Sequence, residues 1–121
     1  MRDLTEIYSD HFTAPINGKR YEVKPPSAKD GIMMRLDMQK AESDISYTKW
    51  INILFGGNEL ADDKAPSGGL WDELDNDGVS INYATHFGMT AIAYYAFGPE
   101  VAETFWESLG KEVKPVETPT T

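Results

Sequence analysis

The chain contains no cysteine, so it has neither a disulfide framework nor thiolate chemistry. Basic residues are scarce. Eleven Lys and Arg stand against 20 Asp and Glu, a formal charge of −9. Nucleic-acid backbones are recognised through a basic footprint, and anionic membrane surfaces through polybasic segments, so neither is an expected partner. The same imbalance favours solubility through self-repulsion. The opening stretch, MRDLTEIYSDHF, lacks the apolar run of a secretory signal. Ser80–Phe97, which holds no formally charged residue, is short for a bilayer and is diluted by Asn82, Thr85 and His86. The expected location is the cytosol.

What is present suffices for a core. At 121 residues, with 40% hydrophobic content and three Trp, six Tyr and five Phe, one domain is expected over residues 1–110. Its centre is Ser80–Phe97. Ile81, Ala84, Phe87, Gly88, Ala91, Ile92, Tyr95 and Phe97 put apolar or small groups on nearly every side of a helical wheel, the mark of a buried helix. Ser80 can cap its start, and Gly98-Pro99 ends it.

Around that helix the chain reads in order. Asp3 caps a short helix from Leu4 to about Ser9, with Leu4, Ile7 and Tyr8 on one face. Phe12, Ala14 and Ile16 alternate, Asn17-Gly18 supplies a hairpin turn, and Tyr21 and Val23 alternate on the return. Pro15 confines the first strand to a sheet edge. After Pro25-Pro26, Ser27 and Asp30 open a helix expected from Ala28 to about Glu42. Its apolar residues make two adjacent stripes, Ile32 with Leu36 and Met34 with Met38. Asp44 or Ser46 caps the next helix, where Tyr47, Trp50, Ile51 and Leu54 recur at helical spacing. Residues 58–69 read as an exposed loop, and Leu70, Trp71 and Leu74 as a short helix closed by Gly78. Pro99 opens a last helix, in which Val101, Ala102, Phe105, Trp106 and Leu109 share one face. Residues 111–121 lack an apolar period, hold two prolines, and read as a disordered tail. The expected class is α+β, mostly α: an N-terminal hairpin packed on four to five helices around a central one at about 80–97.

No catalytic pattern emerges. Counting back from Gly78 along the EF-hand pattern puts Glu73 at the first position and Ala84 at the twelfth, and both are wrong for calcium. His11 and His86 have no histidine three or four residues away, so neither begins a metal site. No serine lies in a Gly-x-Ser-x-Gly turn, and no glycine pair leads into the Lys-Ser/Thr of a phosphate loop. Lys19-Arg20 reads as a solvated hairpin tip. No catalytic residue, metal ligand or cofactor site is assigned. Met33, Met34 and Met38 are the candidate binding residues. Methionine fills core gaps, yet it also serves adaptable docking faces.

Several weak motifs occur in a recognisable order. They are Arg2-Asp3-Leu4, Gly18-Lys19, Pro25-Pro26-Ser27-Ala28, Asp77-Gly78-Val79, Gly88-Met89-Thr90-Ala91 and Ala102-Glu103-Thr104-Phe105-Trp106-Glu107. In that order the chain resembles the tail assembly chaperones of long-tailed phages and prophages of actinobacteria, over about residues 2–109. The resemblance implies a non-virion protein in the host cell cytoplasm. Such a protein binds the tape measure protein and keeps it soluble until tail tube protein polymerises around it. A frameshift-extended form of the chain itself is a further implied partner, and self-association is expected of a holdase. No catalytic residues transfer. Two other readings compete: a structural part of the phage, such as a head–tail connector or minor tail subunit, and an acidic DNA mimic. The dispersal of basic residues among the acids disfavours the mimic.

Overall fold

A computed structural model describes residues 1–109. The tail expected over 111–121 lies outside them. The elements in order are α1 (Leu4–Ile7), β1 (Phe12–Ile16), β2 (Lys19–Val23), α2 (Ala28–Asp37), α3 (Tyr47–Phe55), α4 (Gly69–Asn76), α5 (Ile81–Phe97) and α6 (Pro99–Ser108). This is the expected mostly helical α+β architecture, with the hairpin at the N-terminal end.

The hairpin forms where alternation and turn chemistry agree. Asn17 and Gly18 both take positive φ, 53° and 83°, the pair of values a two-residue hairpin turn demands. The register pairs Ile16 with Lys19 and runs unbroken to Phe12 with Val23. Phe12, Ala14, Ile16, Tyr21 and Val23 are all buried, and the residues between them are exposed.

That inner face lies over α5. Phe87 is fully buried and its ring sits 5.2 Å from Phe12, 6.1 Å from Phe55, and 6.2 Å from both Tyr21 and Trp106. It therefore joins the hairpin, α3 and α6 through one side chain. The Tyr95 hydroxyl ties the open end of the hairpin to α5. It accepts from the Phe12 N–H at 2.9 Å and donates to the Val23 carbonyl. Gly88 lets α3 approach α5. A Cβ there would stand 2.8 Å from Ile51 Cγ2.

The structure departs from the sequence reading in four places. First, α2 ends at Asp37, not near Glu42. The Asp37 carboxylate accepts from Trp50 Nε1 and pairs with Lys40, both at 2.8 Å. Tightened turns from Gln39 to Leu36 and from Lys40 to Asp37 follow, so the chain turns and α3, like α2, packs on α5. A single 3-10 turn, Glu42–Asp44, precedes α3, and Ser46 stands at the cap position without a capping bond. Second, α1 stops at Ile7, and its apolar residues Leu4, Ile7 and Tyr8 are exposed. Third, the ends of α5 protrude: Ile81 and Phe97 are 78% and 56% exposed. Fourth, only Ala102 of the α6 stripe is buried, while Val101 and Leu109 are exposed.

The loop before α4 is surface-exposed as expected, and its base is pinned. The buried Asn52 side chain donates to the Asn58 carbonyl at 3.0 Å and accepts from Trp71 Nε1 at 2.9 Å. Among the described residues no helix is long and apolar enough to cross a membrane.

Candidate protein-docking site

Helix α2 carries two apolar stripes and can bury one. Met34 is fully buried, and Met38, one turn on, is half-buried against the core. The adjacent stripe is left over. Ile32, Met33 and Leu36 are 58%, 55% and 51% exposed. In this orientation Met34 fills the core and Arg35 Nε donates to the Tyr95 carbonyl at 3.1 Å. A cation thereby meets a carbonyl in the last turn of α5, where the helix dipole favours it.

Between α2 and the C-terminal end of α5 runs an open groove of about 700 Å³. Pro25, Pro26 and Tyr8 line it. Ile32 and Arg35 form one wall, and Tyr94 and Phe97 contribute to the other. Tyr8, Ile32 and Phe97 are each more than half exposed. The rim is thus greasy, with Asp10 and Arg35 as its charged groups. An open cleft with walls of mixed polarity, next to a leftover apolar helical stripe, has room for an amphipathic helical segment.

The three methionines do not form one surface. Met33 belongs to the exposed stripe, Met34 to the core and Met38 to the boundary. One residue of helix is a rotation of about 100°, so Met33 and Met34 must face differently. Sequence reading missed Ile32, Leu36, Phe97 and Tyr8 as surface groups. The signal available was the double stripe of α2, since a helix packed on one side leaves its second stripe in water.

The other candidates take structural roles. His86 stacks on Phe105, with centroids 4.9 Å apart, and its Nε2 lies 3.1 Å from the Trp106 carbonyl, so it is a packing residue between α5 and α6. His11 pairs with Glu22 across the hairpin. Lys19 is not a free tip. Its ammonium lies 2.8 Å from Asp77 and 3.1 Å from Glu73, and the Tyr21 hydroxyl donates to the same Asp77 oxygen at 2.6 Å. The bonds from Lys19 and then Tyr21 hold the Asp77 carboxyl below the usual carboxylate range. Two acids of the failed calcium pattern are therefore spent on tethering the hairpin to α4. Among the described residues no group of three or more His, Asp or Glu is placed to hold a metal ion.

The family model for a domain of unknown function, DUF7426, matches residues 2–121, and the chain belongs to that family. Comparison with curated proteins and with solved structures yields no match.

Proposed function

We propose that this DUF7426 chain is a phage tail assembly chaperone. In this reading it acts in the host cell cytoplasm and makes and breaks no bond. It binds apolar helical stretches of the tape measure protein and keeps that protein soluble until tail tube protein polymerises around it. A frameshift-extended form of the same chain acts alongside it. The order of motifs from Arg2 to Glu107 motivates the reading. The observation that supports it most directly is the unsatisfied stripe of Ile32, Met33 and Leu36 beside an open groove. An amphipathic helix laid in such a groove is a common recognition mode. The charge of −9 resists co-precipitation of carrier and cargo.

Co-expression with overlapping tape measure fragments tests this. At least one fragment should become soluble and co-purify, and Ile32→Asp with Leu36→Asp should abolish the gain while the chain stays folded. No gain for any fragment, or an unchanged gain with the double variant, refutes the reading. Detection of the chain in stoichiometric amounts in purified virions would favour a connector or minor tail subunit instead.

A further inference from the structure

The two edges of the hairpin differ. Residues paired directly across the tight turn exchange both of their backbone bonds, and this alternates along the ladder. Lys19, Tyr21 and Val23 therefore point their backbone groups at β1, while Arg20 and Glu22 point theirs away from it. Among the described residues those outward groups have no hydrogen-bond partner, and β1 is the one element in extensive contact with β2. The outer edge of β1 is protected: Pro15 removes a donor there, and α6 stands across a cleft lined by Thr13, Pro15 and Trp106. Among the described residues β2 is thus the one open strand edge.

We infer that β2 pairs antiparallel with β2 of a second copy of this chain, forming a twofold dimer with a continuous four-stranded sheet. The sequence of the strand is complementary to itself. Centring the axis on Tyr21 sets Arg20 opposite Glu22 of the other copy, and the symmetry repeats the pair. Both residues in each pair have their backbone groups free, so each pair exchanges both main-chain bonds. Both side chains lie on the exposed face of the sheet, where Arg20 donates to Thr13 Oγ1 at 3.0 Å and Glu22 pairs with His11 within the hairpin. In the dimer they exchange these exposed partners for each other, guanidinium against carboxylate, across the new seam. A shift of register by two residues breaks both charge pairs. The seam is short because Asn17-Gly18 turns the chain before it and Pro25-Pro26 stops pairing after it. With one open edge per copy, pairing closes at two and cannot propagate into a fibre. The groove beside α2 is not used, so the inference stands apart from the holdase reading.

Charge reversal tests it. Sedimentation velocity across a concentration series should show the wild type associating to a dimer. Arg20→Glu sets Glu against Glu at both pairs, and Glu22→Arg sets Arg against Arg. Each should weaken the dimer by roughly tenfold or more. The double variant R20E/E22R restores opposite charges across the axis and should dimerise again. Hydrogen exchange on the wild type gives a readout independent of any variant, since the Arg20 and Glu22 amides should gain protection as concentration rises. A wild type that stays monomeric at every concentration overturns the inference. So does a dimer indifferent to the single reversals, a double variant that fails to recover, or an Arg20 and Glu22 exchange rate that ignores concentration.

Discussion

Gly88 is the place to test whether close approach of α3 to α5 organises the core. It lies in the interior of α5 and is buried. Replacing it with Ala should help the helix by about 1 kcal/mol, because Gly is the costlier residue in a helix interior. The added methyl would stand 2.8 Å from Ile51 Cγ2 and 3.0 Å from both Cγ1 and Cδ1. Ile is stiff at χ1, so this branch cannot swing aside cheaply. Overpacking of this kind costs about 1–3 kcal/mol, and the rigid neighbour argues for the upper part of that range. The net expectation is a loss of about 1–2 kcal/mol, or roughly 4 °C in Tm for each kcal/mol. Ile51→Ala alone should lose about 2–5 kcal/mol through its cavity. In that background the new methyl enters vacated space, and Gly88→Ala should turn neutral or stabilising. Urea titrations of the four proteins, followed by tryptophan fluorescence and circular dichroism, give the cycle. A stabilising Gly88→Ala in the wild type, or an effect of equal size and sign in both backgrounds, would refute the reasoning.

Tyr95→Phe removes the hydroxyl that joins Phe12 and Val23 and should cost about 1–3 kcal/mol in the same assay. Burial pushes the Tyr95 hydroxyl from 10.0 up to about 12. Its folded pKa is raised, so its contribution is intact below pH 10 and is lost as pH rises towards 12. Across that window the wild type should lose about 2–3 kcal/mol more than Tyr95→Phe, and parallel curves would show that the hydroxyl is not held as described. At the acid end, Lys40 and then Trp50 hold the Asp37 carboxyl below 3.8. Its contribution is present above the unfolded value and falls away as pH drops through the folded one, so Asp37→Asn should flatten the loss of urea midpoint below about pH 4. Asn52→Ala leaves the Trp71 N–H and the Asn58 carbonyl without their partner. It should cost about 2–3 kcal/mol and raise hydrogen exchange at the base of the 58–68 loop ahead of the rest of the chain.

Local chemistry made the elements legible. Alternation around Asn17-Gly18 specified the hairpin and its buried face, because period-two patterning and a turn with two positive φ values leave one register. Ser27 and Ser80 marked helix starts at which their hydroxyls do accept backbone bonds, from Asp30 and Tyr83. The uncharged run from Ser80 to Phe97 identified the helix on which the others pack. The candidate site was only half legible. The methionines of α2 pointed to the helix that carries an exposed apolar stripe, but Met34 went into the core, and that stripe is Ile32, Met33 and Leu36.

Local chemistry alone specifies which segments become strand or helix, and that α5 is the element to be covered. These depend on contacts within a few residues and on the period of apolar groups. Tertiary packing alone decided three other matters. It chose which stripe of α2 is buried, ended that helix at Asp37 through a bond to Trp50, and turned Lys19 from a solvated tip into a tether on Glu73 and Asp77. Each of these involves partners 13 or more residues apart and so leaves no local period or turn signal. A helix with two comparable stripes has no intrinsic preference between them; packing against the core, with Arg35 bonded to the Tyr95 carbonyl, buries Met34 and leaves the other stripe in water.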